Sequence, residues 1–374
     1  MSKRRVVTVS GLAQLMLVAA AIVVTTWPFG PLTVERYYAR GLYPMIQAGI
    51  TPLSNRVPFA LFDVAIAVFM AIAVWIWIRS IRLARKKQAL RNLWRGLAAS
   101  LTLLAVVYLW FVAAWGLNYA RPPLDTQIPF DARRVTPQAV RVLAEHAIAR
   151  ANRTYASGHA AGFPAIDAMP PRLMDALNDV EREFGRPRVT ILARPKWSIF
   201  TPFYRASGVS GQLGPFFLET LLNPDLTGPE REAVLAHEWA HLSGFAPESD
   251  ASFIGLVAAL RAGPSAEYSA WLDIVSESVS QLQPVTQRVV LQQLDAGPRS
   301  DQEAIRERLK KLVQPVEKVA WSAYDQMLKS QGVEAGVRSY SRVIQLLIGS
   351  DALNIEGIEP QASVRPRSGQ ADIK

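Results

Sequence analysis

The chain of 374 residues contains no cysteine. Disulfide bonds, thiolate zinc sites and a cysteine nucleophile are therefore excluded. Histidine is almost as scarce, with four residues in the whole chain. A zinc ion would have to be bound by these histidines together with carboxylates.

Positive charges exceed negative charges by 10, which by itself would suit nucleic acid or anionic lipid. The basic residues that account for this excess cluster beside apolar segments, so we expect the lipid bilayer as a partner and no nucleic acid. They are Lys3, Arg4, Arg5, Arg79, Arg82, Arg85, Lys86, Lys87, Arg91 and Arg95.

Three segments, at about 11–29, 57–78 and 96–116, are apolar and long enough to cross a membrane. A hydrocarbon core of about 30 Å takes roughly 20 helical residues. The first segment also resembles a signal peptide, because both begin with a basic flank. No small-x-small cleavage site precedes Trp27-Pro28 and two further spans follow, so we interpret the segment as an uncleaved anchor.

Short loops rich in Lys and Arg stay in the cytoplasm, so the N-terminus and the 79–95 loop are predicted to be cytoplasmic. The 30–56 loop is then external, and the third span carries the rest of the chain out of the cytoplasm. We therefore expect a multi-pass protein of the cytoplasmic (inner) membrane. Its predicted parts are an anchor over 1–120, an extracytoplasmic domain over 121–350 and a polar tail over 351–374. We interpret Asp63, inside the second span, as structural.

Beyond the third span, Arg121-Pro122-Pro123 suits a linker, and the remaining pattern is mainly helical. Two short strands are expected at 189–192 and 215–220. Helices are expected at 137–154, 170–184, 250–262, 265–281, 284–294, 300–330 and 333–349. The predicted fold class is mainly α, with three transmembrane helices followed by an α+β domain that contains a small sheet.

Residues 227–244 (TGPEREAVLAHEWAHLSG) carry the start and stop signals of a helix of about four turns. Thr227 or Gly228 can cap its start, and Pro229 suits the first turn. Gly244 suits a left-handed exit from the helix.

His237 and His241 lie four residues apart on this helix, so both imidazoles emerge from one face and can bind one ion. Glu238, next to the first histidine, can hold a water molecule and take its proton. This His-Glu-x-x-His arrangement predicts one zinc ion per chain and Glu238 as catalytic general base. The alternative is two packing histidines at this spacing by coincidence, but half of the chain's histidines fall in this one window.

A catalytic zinc ion usually has a third protein ligand. The motif resembles the metzincin signature up to Phe245, but Pro247 stands where that class has its third histidine. Glu248 with Ala251 resembles the third-ligand helix of the gluzincin class, which includes membrane-embedded heat-shock and prenyl-protein zinc proteases. Ser252 stands where an Asp often follows in that class. We expect Glu248 as third ligand, with Asp250 as the alternative.

Over nearly its full length the chain resembles the bacterial membrane proteins grouped as domain of unknown function 3810, which are placed with the zincin-like metallopeptidases. The resemblance implies a zincin-like domain and peptidase activity without an established substrate. Besides the spans and the metal motif through Glu248, it is carried by Trp115-Gly116-Leu117-Asn118-Tyr119 with Arg121, by Gly208-Val209-Ser210-Gly211 with Pro215-Phe216, and by Gly336-Val337-Arg338-Ser339-Tyr340.

The predicted function is that of a membrane-anchored zinc metallopeptidase that hydrolyses protein or peptide substrates. The 209–220 segment is expected to hold the substrate backbone as an edge strand. Tyr340 or Arg338 is a candidate donor to the oxyanion. We interpret Trp115, Asn118 and Tyr119 as a juxtamembrane docking feature.

His146 and His159 are expected to lie on the solvated surface. The alternative function is a catalytically silent zincin-like sensor or scaffold, which would have no need of a general base beside a metal ligand. The polar residues around the motif disfavour proteolysis within the bilayer. The oligomeric state is not indicated.

Overall fold

The computed structural model describes residues 9–86, 88–184, 186, 189–310, 312–330 and 342–358. A π-helix, Val34–Leu42, joins α2 to α3, and the strands are β1 (Pro195–Lys196), β2 (Gly211–Gly214) and β3 (Glu219–Leu222). The helices are α1 (Val9–Thr26), α2 (Pro31–Thr33), α3 (Tyr43–Asn55), α4 (Leu61–Lys86), α5 (Ala89–Ala114), α6 (Pro137–Ala161), α7 (Pro171–Glu183), α8 (Thr201–Ser207), α9 (Arg231–Leu242), α10 (Glu248–Arg261), α11 (Pro264–Ser280), α12 (Pro284–Leu291), α13 (Ala296–Leu309), α14 (Gln314–Ser330) and α15 (Arg342–Gly349). The predicted class, mainly helical with a small sheet, is confirmed.

Two helices, α4 and α5, are each long and apolar enough to cross a membrane. They pack against each other, and only two residues join them, so they form an antiparallel pair. The segments 11–26 and 31–55 pass the same test only together, as a pair bent by 113°. The described part of the chain therefore contains two or three helices that could span a bilayer, which suggests a membrane protein.

The expectation of a loop over residues 30–56 is wrong, because this stretch is helical. Its buried side chains pack into the core of the molecule, which holds the backbone in place. Gln47 bonds both backbone groups of Ile191, donating to its carbonyl and accepting from its N–H. These contacts connect the segment to the part of the chain beyond residue 121.

The sheet has the order β1-β3-β2, with β1 parallel and β2 antiparallel to β3. The predicted strand at 189–192 is absent from the described residues, and β1 begins only at Pro195. Residues 215–218 are a turn between β2 and β3 rather than part of a strand. Pro215 cannot donate to a strand ladder, and Leu218 adopts a φ of 51° that reverses the chain.

A buried ion pair attaches the sheet to the start of α4. Lys196 Nζ lies 2.7 Å from Glu219 Oε1, and both side chains are inaccessible to solvent. The same carboxylate accepts from the backbone N–H groups of Leu61 and Phe62, at 2.9 and 3.0 Å. Asp63, in the first turn of α4, accepts from Ser198 Oγ at 2.6 Å.

After residue 248 the helices lie close to their expected positions, with one break. The helix expected over 300–330 divides into α13 and α14, and between them the backbone N–H of Val313 donates to the carbonyl of Ala206 in α8 at 2.9 Å. Pro315, in the first turn of α14, lacks the N–H that an uninterrupted helix would need there. Part of the helix expected at 333–349 lies outside the described residues, and α15 covers its end.

Candidate metal centre

The helix that carries His237 and His241 begins and ends where its sequence predicts. Thr227 and Glu230 form a capping box, in which the backbone N–H of Thr227 donates to Glu230 Oε2 at 2.9 Å. A short 3-10 turn leads into α9. The helix ends at Leu242, and Gly244, two residues further on, has a φ of 86° that would be strained for other residues.

His237 and His241 from α9 and Glu248 from α10 form a compact group, which we call the metal group. The imidazole Nε2 atoms of the two histidines lie 3.2 and 3.4 Å from Glu248 Oε2. A tetrahedral site with bonds of about 2.0–2.1 Å places its ligand atoms about 3.3–3.4 Å apart. Within the described residues, these three side chains are close enough to one another to hold a metal ion.

The hydrogen bond at the far side of the His241 ring determines which nitrogen faces Glu248. Nδ1 lies 2.8 Å from the carbonyl oxygen of Phe245, which can only accept, so Nδ1 carries a proton. In neutral His241, Nε2 would then present a lone pair to a carboxylate oxygen. Two lone pairs at this distance need a cation between them, either a second proton or a metal ion.

The electrostatics of the metal group point the same way. Burial lowers the pKa of His241, but the Glu248 carboxylate overrides this effect and raises it to about 9. Burial raises the pKa of Glu248, but the His241 and His237 imidazoles hold it well below its usual range. The group therefore favours positive charge at its centre.

Ser252 orients the other imidazole. His237 Nδ1 lies 3.0 Å from Ser252 Oγ. A hydroxyl group from α10 thus contacts the side of the His237 ring that faces away from Glu248. This contact leaves His237 Nε2 directed at Glu248.

Close packing of α10 on α9 brings Glu248 to the histidines. A Cβ atom on Gly255 would lie 2.7 Å from the backbone nitrogen of His237, so only glycine permits this approach. Asp250, the alternative ligand, is buried but lies outside the metal group. It accepts from Ser249 Oγ at 3.2 Å, and burial raises its pKa to about 6.

Glu238 is buried beside the metal group, and its Oε2 atom has no hydrogen-bond partner in the described part of the chain. Burial raises the pKa of this carboxyl group to about 7, against the lowering effect of His237 and His241. A Cβ on Gly211 would lie 2.6 Å from Glu238 Oε1. The edge strand β2 therefore passes directly over this carboxylate.

A cavity of about 590 Å³ adjoins these side chains. The metal group and Glu238 line it, together with β2 and with residues from α5, α8 and α14.

Asp273 and Glu277, one turn apart on α11, also line the cavity. Burial and the Asp273 carboxylate raise the pKa of Glu277 to about 7. This pair was not predicted from the sequence, where its signal is two carboxylates four residues apart on a largely apolar helix.

Residues near the membrane helices cap the carbonyl end of α9. Trp115 Nε1 donates to the carbonyl of His241 at 3.2 Å, and the Tyr43 hydroxyl donates to that of Leu242 at 2.6 Å. Arg121 donates to the carbonyl of Gly244 and pairs with Glu35 at 2.6 Å. Arg121, the first residue of the expected linker, is thus packed against the domain.

The other two histidines, His146 and His159, lie outside the metal group. His146 is half-buried with its ring 5.4 Å from that of Trp271, so the expectation of a solvated position is wrong. His159 is exposed as expected, although it hydrogen-bonds Asp301 at 2.8 Å. Tyr340 lies outside the described residues, as does Arg338.

These observations define a class of protein: a mainly helical chain with helices suited to a membrane and a His-His-Glu group beside a buried carboxylate. The model of the family described as Protein of unknown function (DUF3810) matches residues 38–348, and the chain belongs to this family. No curated protein and no solved structure matches the chain.

Proposed function

We propose that this protein is a membrane-anchored zinc metallopeptidase with a zincin-like domain. The observation that carries the proposal is the metal group at tetrahedral spacing, with the buried Glu238 beside it and a cavity in front. The donor set of two imidazoles and one carboxylate suits a catalytic zinc ion, which keeps a position open for water. When bound, zinc would supply Lewis acidity to a water molecule and a substrate carbonyl.

In the proposed reaction, the Glu238 carboxylate takes a proton from the attacking water and passes it to the departing amine. Burial raises the pKa of this carboxyl group, which makes the carboxylate a stronger base toward the water proton. Tyr119 lines the cavity, and burial keeps its phenol protonated by raising its pKa far above the usual range. Its hydroxyl is a candidate donor to the developing oxyanion, beside the predicted Tyr340.

The strand β2 supports a role in holding the substrate. It lies at the edge of the sheet and against Glu238, so an extended peptide could add to it as a further strand. Such pairing places a substrate backbone carbonyl over the catalytic side chains. Of the 209–220 segment expected to form an edge strand, only β2 lies at the edge of the sheet, because residues 215–218 are a turn and β3 is the central strand. The proposed role in holding the substrate therefore belongs to β2.

We further propose that the membrane is the cytoplasmic (inner) membrane and that the domain lies outside the cytoplasm. The support is the cluster of basic residues at the joined ends of α4 and α5, since such residues stay in the cytoplasm. The opposite ends of these helices, next to the metal group, are then extracytoplasmic. A reporter fused after residue 374 should be active outside the cytoplasm, and cytoplasmic activity would refute this topology.

Metal analysis and cleavage assays on the full-length chain test the proposal. The parent should hold about one zinc per chain and cleave an unstructured protein substrate. His237→Ala should lose the metal, whereas His146→Ala, a histidine outside the metal group, should keep it. Glu238→Gln should keep the metal and lose roughly 10²–10⁴-fold in rate.

The outcomes separate the competing functions. If the parent binds zinc but cleaves nothing, the catalytically silent sensor or scaffold replaces the peptidase. If His237→Ala and His146→Ala retain equal amounts of zinc, the metal centre itself is refuted.

A further inference from the structure

A short segment beside the metal cavity exposes large apolar side chains. Residues 197–203 lead from β1 into α8, and Trp197, Ile199 and Phe203 are 59%, 60% and 44% exposed. Single exposed apolar residues are normal on a soluble surface, but several together mark an interaction surface. The neighbours of this segment indicate what covers it.

Hydrogen bonds attach the segment to the first turn of α4. Asp63 accepts from the Ser198 hydroxyl at 2.6 Å and from the backbone N–H of Ile199 at 2.8 Å. The rings of Phe62 and Phe200 lie 6.1 Å apart. Because α4 is apolar enough to span a bilayer from Leu61 onward, the segment lies where this helix would enter the membrane.

The end of α5 lies beside the start of α4. The ring of Phe216 lies 6.1 Å from that of Phe62 and 6.2 Å from that of Phe111 in α5. Trp110 Nε1 donates to the carbonyl of Phe216 at 3.1 Å. The start of α4 and the end of α5 are therefore adjacent, and tryptophan at such a position is typical of a membrane interface.

The cavity lies beside the adjacent ends of α4 and α5. Phe203 of the segment and Phe111 of α5 both line it, together with Glu238 and the metal group. A polypeptide that enters between these two phenylalanines would pass between the apolar segment and a membrane helix. A route to the metal group from this side would begin at the depth of the membrane surface.

We propose that residues 197–203 are seated in the interfacial region of the bilayer, and that they hold the mouth of the cavity at the membrane surface. The substrates are then polypeptide segments that lie on the membrane or emerge from it. The statement about substrates rests on the proposed peptidase function, whereas the seating requires only the membrane helices. Tryptophan suits the headgroup level, and isoleucine and phenylalanine suit the boundary with the acyl chains.

The absence of cysteine allows the seating to be measured with single spin labels. We would label Ile199→Cys in the full-length chain in lipid nanodiscs and compare its collisions with oxygen, which concentrates in lipid, and with a water-soluble nickel chelate. Leu104→Cys, in α5 and 54% exposed, gives the lipid reference. Val285→Cys gives the water reference, since it is 65% exposed on α12, which packs against α11 and α6.

The label at residue 199 should favour oxygen over nickel, as at residue 104. A ratio equal to that at residue 285 would overturn the seating. Low access to both reagents would also overturn it, because a second copy of the chain would then cover the segment. None of these readouts depends on peptidase activity.

The inference about substrates is tested with one peptide attached to a lipid through linkers of two lengths. A linker of 2 residues reaches about 7 Å from the anchor, and one of 20 residues reaches about 65 Å. The parent should cleave both peptides. The double variant Trp197→Ser/Ile199→Ser should cleave the short-linker peptide on the order of tenfold more slowly and the long-linker peptide at the parent rate.

If the parent cleaves the long-linker peptide but not the short-linker peptide, the inference about substrates is overturned. Equal effects of the double variant on both peptides would overturn it as well. If the parent cleaves neither peptide, the peptidase proposal and the inference about substrates both fail, and the spin labels still decide the seating.

Discussion

Replacing Gly255 by alanine should pull the third metal ligand away from the two histidines. The new Cβ would lie 2.7 Å from the backbone nitrogen of His237 and 2.9 Å from the backbone carbonyl carbon of Ala236. Backbone atoms of α9 cannot rotate aside as a side chain can. The helix α10 must therefore shift to make room.

The size of the shift follows from ordinary contact distances. Non-bonded atoms of this kind lie about 3.5–4.0 Å apart, so α10 must move by about 1 Å. Glu248 is about two turns away on the same helix and moves with it. Metal-ligand distances tolerate only about 0.2 Å, so the Glu248 bond would be weakened or lost.

We expect zinc affinity to fall about 10- to 100-fold, similar to the loss of an outer partner of a metal ligand. The overpacking should also lower the free energy of unfolding by about 1–3 kcal/mol. Affinity would be measured on the full-length chain by competition with a chelator of known affinity. Thermal unfolding of the metal-free protein would give the stability.

Gly158→Ala is a matched control. Its Cβ would lie 2.7 Å from Tyr268 Cβ, where α6 packs against α11, and neither residue belongs to the metal group. The control should lose similar stability and keep the parent's zinc affinity. Equal zinc affinity in the two variants would refute the argument that helix packing positions Glu248.

Three further predictions concern single groups. Ser252→Ala removes the partner of His237 Nδ1 and should weaken zinc binding about 10- to 100-fold. Ser252→Asp should keep the parent's zinc affinity. Competition with a chelator would measure the affinity of both variants. Because the pKa of His241 is about 9 without metal, zinc binding at pH 7.5 should release about one proton. Calorimetry in buffers of different ionisation enthalpy measures this proton. If the imidazole were already neutral, no proton release would be seen. Lys196→Met should destabilise the fold by about 3–5 kcal/mol, because it removes the partner of the buried Glu219 carboxylate. Denaturant unfolding at pH 7 would measure this, and a free energy of unfolding equal to that of the parent would contradict it.

The features predicted correctly from sequence are those that local spacing determines. The capping signals at Thr227 and Gly244 and the four-residue spacing of His237 and His241 depend only on one helix. Glu248 was expected from the resemblance of Glu248 and Ala251 to a third-ligand helix, and it lies beside the two histidines. Apolar length alone was enough to locate α4 and α5.

The features missed from sequence depend on contacts between distant segments. The 31–55 helices are held by packing against the domain, which their polar and proline-containing sequence did not indicate. The stretch 189–192 has strand-like residues but lacks a partner strand, because Gln47 bonds the backbone of Ile191 instead. Asp273 and Glu277 reach the cavity only through the packing of α11 against α9.

The capping of α9 argues that residues 1–120 do more than anchor a separate domain. The last carbonyl groups of a helix have no partners within it and must find donors elsewhere. Here Trp115 and Tyr43 donate to the carbonyls of His241 and Leu242, one of which belongs to the metal group. Both donors come from the membrane-proximal part, so a fragment starting at residue 121 would lose them. The Leu242 carbonyl would then lack its Tyr43 donor, and the His241 carbonyl would keep the backbone N–H of Gly244, at 2.8 Å. We infer that the membrane helices, their connecting segment and the metal group fold as one cooperative unit, so the position of Glu238 and His241 depends on the part of the chain that meets the membrane.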